Sequence, residues 1–168
     1  IVNNVSTHEG GGVSLNDAPN VRFFNNTVMN NTTTATAMTS NGQAAPAGLA
    51  TARNSALLQA TLPAGSPIFS NPLLFNNIFW GNRSGAFTGG TVVGIGLAGD
   101  PFPVNYWDIG VADSVGMLAP TDSLLQTTVG TLPSATNVVN QPPVVVSEYE
   151  TSVNVAPWRG NPRFVDTT

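Results

Sequence analysis

Four acidic residues, Asp100, Asp108, Asp113 and Asp122, form the densest group of carboxylates in the chain. Such groups do two kinds of chemistry: they share a calcium ion, or they divide general acid and base roles in the cleavage of a sugar polymer. Asp108, between Trp107 and Ile109, is the first to test as a catalytic group, with Tyr106 and Trp107 as rings on which a sugar could stack. Asp100, Asp108 and Asp113 are the calcium candidates, although the Asp-x-Asp-x-Asn spacing of a calcium loop is missing. The sole histidine, His8, precedes Glu9, but neighbours in a strand face opposite sides of the sheet, so the pair reads as surface rather than as a base and its orienter. Gly10-Gly-Gly12 is followed by no lysine and no strand-to-helix turn, so it is no phosphate cradle. The expectation is no catalysis and no cofactor, with calcium as the one ion to consider.

The elements that must position these residues are set by an unusual composition. Only 8% of the 168 residues are charged, against about 25% in an ordinary domain, and no lysine is present. Solubility falls to Asn, Thr, Ser and Gln, and together with 17 Gly and 13 Pro these favour short strands and tight turns. A net charge of −4 with five arginines offers no basic stripe for phosphates, which argues against nucleic acid as a partner. The absence of cysteine excludes a disulfide framework and a thiolate metal site. No apolar run approaches 18 residues, so no membrane span is expected. The chain opens on Ile1-Val2-Asn3-Asn4, inside a patterned segment, and reads as a single unit, 1–168, cut from something longer.

The pattern is one of asparagine pairs. Asn20-Val-Arg-Phe-Phe-Asn-Asn-Thr-Val-Met-Asn-Asn31 is echoed by Asn71-Pro-Leu-Leu-Phe-Asn-Asn-Ile-Phe-Trp-Gly-Asn82, and Ile1 to Gly10 aligns with Phe23 to Thr32 at an offset of 22 residues. Repeats in the low twenties point to stacked turns that share a core. Alternation places Val21, Phe23 and Val28 inward in one unit and Leu74 and Phe79 in the other. Asn4, Asn26, Asn31, Asn77 and Asn82 fall at bends, where an inward amide can bond both its turn and the matching amide of the next unit, a structural ladder. Asn4, Asn25, Asn30, Asn31 and Asn82 also fit the glycosylation acceptor pattern, which arises by chance in so Asn- and Thr-rich a chain.

Residues 41–67 break the pattern and read as an insertion, with one short helix between Leu49 and Ala60 and a strand just before it, Thr36 to Ser40. Arg83 to Gly90 is turn-like, and Thr91 to Leu97 reads as a strand. After about residue 98 the chain is irregular, with strands expected near Tyr106 to Ile109, Thr127 to Thr131 and Val144 to Glu150.

Three pieces resemble the right-handed parallel β-helix proteins of the pectate-lyase-like type: Gly10 to Leu15 with Asn20 to Asn31, Asn76-Asn-Ile-Phe-Trp-Gly-Asn82, and Asn161-Pro-Arg-Phe-Val-Asp166. The resemblance is to large bacterial secreted and surface proteins and covers about a third of the chain. It implies an all-β parallel β-helix, or β-solenoid, outside the cell. The function expected is a structural or adhesive module, a surface scaffold or filament building block, whose partners are copies of itself or further coils of a longer chain. The alternative is a β-helix that binds or cleaves polysaccharide.

Overall fold

The computed structural model describes residues 1–146, which are β-strand, turn and bend apart from one four-residue helix. The first strands in chain order are β1 (Val5–Ser6), β2 (Val13–Leu15), β3 (Arg22–Phe24), β4 (Thr27–Met29) and β5 (Thr32–Thr33). β6 (Leu49–Thr51) leads to the helix α1 (Ala56–Gln59), and then come β7 (Leu73–Phe75), β8 (Ile78–Trp80) and β9 (Arg83–Ser84). The remaining strands are β10 (Ala86–Thr88), β11 (Thr91–Val93), β12 (Ile109–Val111), β13 (Leu124–Leu125) and β14 (Val138–Val139).

The strands are short because the residue that follows them turns left-handed. Asn25 after β3, Asn30 after β4 and Asn76 after β7 have φ of 57°, 57° and 52°, and Gly81 after β8 has 70°. Asparagine and glycine are the residues that reach this region most readily, so the sequence sets the strand ends.

Among the described residues every strand except the antiparallel hairpin β10–β11 has a parallel partner strand, and single antiparallel bridges join Arg53 to Phe69 and Arg83 to Tyr106. The four parallel sheets run β1-β5-β9, β12-β6-β2, β14-β13-β8-β4 and β3-β7. Three of them face one core. Val28, Phe79 and Leu125 come from β4, β8 and β13, Leu49, Ile109 and Val111 from β6 and β12, and Leu74 from β7; all are buried together with Leu118. Phe23 of β3 stacks on Phe79 with ring centres 6.2 Å apart. Burying each such side chain is worth about 1.5–3 kcal/mol, which is what holds strands of two or three residues in place.

Several sequence expectations change. Val2 bridges Met29 and Val5 pairs with Thr32, so the first unit is offset by 27 residues rather than 22. The 41–67 segment is not wholly an insertion: Leu49–Thr51 is a strand held on both sides, by β2 and by β12. The helix shrinks to α1, started by Ser55, whose Oγ accepts from the Leu58 N–H at 3.2 Å. Leu49 and Ala50 suit a helix by propensity, but their burial in the core decides for strand. Thr36 to Ser40 is turn and bend rather than strand. Thr91 to Leu97 keeps strand only to Val93, since Gly94 and Gly96 have φ near 80°, and the turn expected before it holds β9 and half of the hairpin. Beyond residue 98 the chain is more regular than its composition suggests, because β12, β13 and β14 all join parallel sheets. The strand near Thr131 moves to Leu124–Leu125, leaving Thr131 in a single bridge with Leu118. Val144 to Val146 form no strand, and the rest of that segment, like Asn161 to Asp166, lies outside the described residues.

Candidate functional site

The asparagine pairs place two residues with different tasks side by side. The first of each pair takes the left-handed turn; the second turns its amide into the protein. Asn4, Asn31 and Asn82 thereby form one column. Asn31 Oδ1 accepts from the Asn4 backbone N–H and amide at 3.1 and 3.0 Å. Asn82 Oδ1 accepts the same two bonds from Asn31 at 3.2 and 3.0 Å. The Asn82 amide donates to the Val28 carbonyl at 3.0 Å and to Asp108 Oδ1 at 2.9 Å. Asn31 and Asn82 are completely buried, so neither can carry a glycan.

A second column starts with Asn26, whose N–H and amide reach Asn77 Oδ1 at 2.9 and 3.3 Å. It continues through Ser123, whose Oγ accepts from the Asn77 N–H, to Asn137, whose Oδ1 accepts from the Ser123 N–H. Outside it runs an exposed contact between Asn76 and Asn25 at 2.7 Å. Asp122-Ser123 thus stands where earlier units carry Asn-Asn, with Asp122 also left-handed at φ 48°. The small polar turn residue was the signal there, and a search for literal asparagine pairs misses it.

Glycines make room for the first column. A Cβ on Gly12 would lie 3.0 Å from the Asn31 amide nitrogen and 2.6 Å from the Gly48 carbonyl oxygen. One on Gly48 would lie 3.0 Å from Asn82 Cγ and collide with the Asp108 carbonyl oxygen. Gly12 is therefore a packing requirement of the asparagines, a role the sequence alone did not suggest.

The acids do not converge. Asp108 is fully buried and ends the Asn4–Asn31–Asn82 column: besides the Asn82 amide it accepts the Gln126 and Thr127 N–H groups on Oδ2 at 2.7 and 3.2 Å. Burial pushes its carboxyl up to about 6, against the three hydrogen bonds, which pull it down. Asp100 ties a loop, taking the N–H groups of Gly94, Ile95 and Gly96 on Oδ2 and that of Phe102 on Oδ1. The Phe102 bond chiefly holds its carboxyl below the ordinary range. Asp113 pairs with Arg53 at 3.5 Å on the surface, and Asp122 is exposed. Among the described residues no three His, Asp or Glu side chains gather as a metal-ligand set.

Trp107 is half-buried; its Nε1 donates to the Ile109 carbonyl at 3.1 Å and lies against Gly110 and Gly130. Tyr106 bridges Arg83 through the backbone. Trp80 sits partly buried in β8. His8 and Glu9 lie in a bend rather than a strand, and there, contrary to the alternation argument, His8 Nδ1 meets Glu9 Oε2 directly. No helix among the described residues is long and apolar enough to cross a membrane.

Comparison of the chain with protein-family models, with curated proteins and with solved structures finds no match.

Proposed function

We propose that this chain is part of an extracellular β-solenoid serving as a structural or adhesive module, a scaffold or filament unit of a bacterial surface. In this reading each pass of the chain adds one strand to each parallel sheet, and the passes stack as coils of a right-handed β-helix. The observation that carries it is the spending of polar side chains: Asn31, Asn82 and Asp108 are buried and bonded to one another and to backbone rather than presented to a substrate. A carbohydrate-cleaving site would need two carboxylates facing each other across an exposed surface, whereas Asp108 is buried at the end of the asparagine column and Asp100 ties a loop.

β1, β2 and β3 are outermost in their sheets. Strand edges accept further strands, so the proposed partner is another coil, from the same protein or a second copy. Sedimentation velocity over a concentration series tests self-assembly. The wild type is expected to give species larger than the monomer, and Ser14→Lys, a charge on the exposed residue of edge strand β2, is expected to suppress them. A wild type that remains monomeric throughout removes copies of itself from the proposal.

A further inference from the structure

Ten described residues carry Asp, Glu, Arg or His side chains, and four of them, His8, Glu9, Arg53 and Asp113, line a single groove of about 420 Å³. In a chain so poor in charge this concentration asks for a cause that the columns do not supply. The groove follows from register. β2, β6 and β12 pair side by side, so the residues just beyond their ends line up too: Ala52 and Ala112 beside Asn16, then Arg53 with Asp17 and Asp113. The alanines give an apolar floor, and His8, Glu9, Arg53 and Asp113 form the rim, with Asp17 outside it.

The rim is only partly satisfied from within. Glu9 Oε2 meets His8 Nδ1, and Asp17, outside the groove, is tied to the start of α1 by accepting the Ser55 N–H at 2.6 Å. Arg53 Nε lies 3.5 Å from Asp113 Oδ2, with both side chains more than 40% exposed. Such a long, wet ion pair costs little to open. Among the described residues neither terminal nitrogen of Arg53 has a hydrogen-bond partner, so the edge of the guanidinium that grips a carboxylate in a two-pronged manner stays available. The Asp113 carboxylate shares the groove with Arg53, while Glu9, also in its lining, has its Oε2 buried against His8 Nδ1.

We propose that this groove binds a small zwitterion, an α-amino acid or the equivalent end group of a peptide. The ligand carboxylate sits on the Arg53 terminal nitrogens, its ammonium group on Asp113, and its side chain over the alanine floor. The charge arrangement selects both groups together. A simple anion on Arg53 sits beside Asp113 with nothing to offset that charge, and a simple cation on Asp113 sits beside Arg53; a molecule carrying both charges on neighbouring atoms can set each against its opposite. The volume lies within the range of small-molecule sites.

The test is a titration of the isotope-labelled wild-type protein followed by amide NMR, with L-alanine, acetate and methylamine as separate probes. L-Alanine is expected to shift amides of residues 41–45 and 52–54 with a millimolar midpoint, as suits six non-hydrogen atoms in an open groove. Acetate and methylamine are expected to bind at least about tenfold more weakly. Arg53→Gln and Asp113→Asn, both surface changes away from the asparagine columns, should each weaken L-alanine by about tenfold or more while leaving the remaining spectrum in place. Three outcomes overturn the proposal: no shift with L-alanine, acetate binding as tightly as L-alanine, or L-alanine binding unchanged in both variants. None of these outcomes bears on assembly through the strand edges.

Discussion

Asp108 should make this protein more stable in mild acid than at neutral pH. Its folded carboxyl is raised from 3.8 to about 6 because burial disfavours the charge. The rise stops there because the Asn82 amide and the Gln126 and Thr127 N–H groups all donate to it. A proton on either oxygen faces a donor and gives up a hydrogen bond. Above pH about 6 both folded and unfolded chains carry the carboxylate, and the folded state bears the cost of its burial. Between about 6 and 3.8 the folded chain binds a proton that the unfolded chain does not, so unfolding becomes harder as pH falls. Across that window, at about 1.4 kcal/mol for each pH unit, this one group contributes about 3 kcal/mol. Asp17 and Asp100 work the other way and in a lower window: their lowered carboxyls lose their stabilising bonds only as pH falls below about 3.8.

The assay is urea unfolding of wild type and Asp108→Asn at a series of pH values from 7 to 4. Subtracting the two curves cancels every other titrating group. The difference should change by about 2.4 kcal/mol between pH 7 and 4, with the wild type gaining as pH falls. Its absolute offset is a separate matter, since the amide nitrogen introduced by the substitution must point at a donor whichever way it turns. Carbon-13 NMR of the Asp108 carboxyl should show a midpoint near the same pH in the folded protein. A flat difference curve refutes the idea that the column ends in a buried carboxylate held against its own burial cost.

Asn82→Ala should cost about 2–4 kcal/mol in denaturant unfolding, because the Asn31 N–H and amide, the Val28 carbonyl and Asp108 all lose a partner inside the protein. Asn4→Ala, at the exposed end of the same column, should cost under about 1 kcal/mol, and equal losses would show that burial is not what gives the column its weight. Gly48→Ala should cost about 3 kcal/mol in the same assay, since the added methyl meets the Asp108 carbonyl and Asn82 together; a neutral result would mean that β6 can shift without disturbing the column.

The asparagine pairs are visible in the sequence because turn and amide roles fall on adjacent residues, so the letters repeat even where the spacing does not. Leu74, Asn77, Phe79 and Asn82 lie at 0–1% exposure, the faces that simple alternation gives them. What stays hidden is long-range. Leu49 to Thr51 looks helical until its neighbours β2 and β12 are known, and Asp108 looks reactive until Asn82, 26 residues earlier, is seen to end on it. His8 and Glu9 escape the alternation rule because that rule holds for strands and these two lie in a bend.

The parallel pairing also governs how fast the native state can be reached. Asn4 must find Asn31 across 27 residues, and Asn31 must find Asn82 across 51, whereas Ser123 and Asn137 are only 14 apart. Closing each larger loop costs chain entropy before any column bond is returned, and folds dominated by distant contacts are the slow ones. The hairpin β10–β11 and the β13–β14 pair are the cheapest contacts to close, and the columns, which need three distant passes in place at once, would set the pace of the final step.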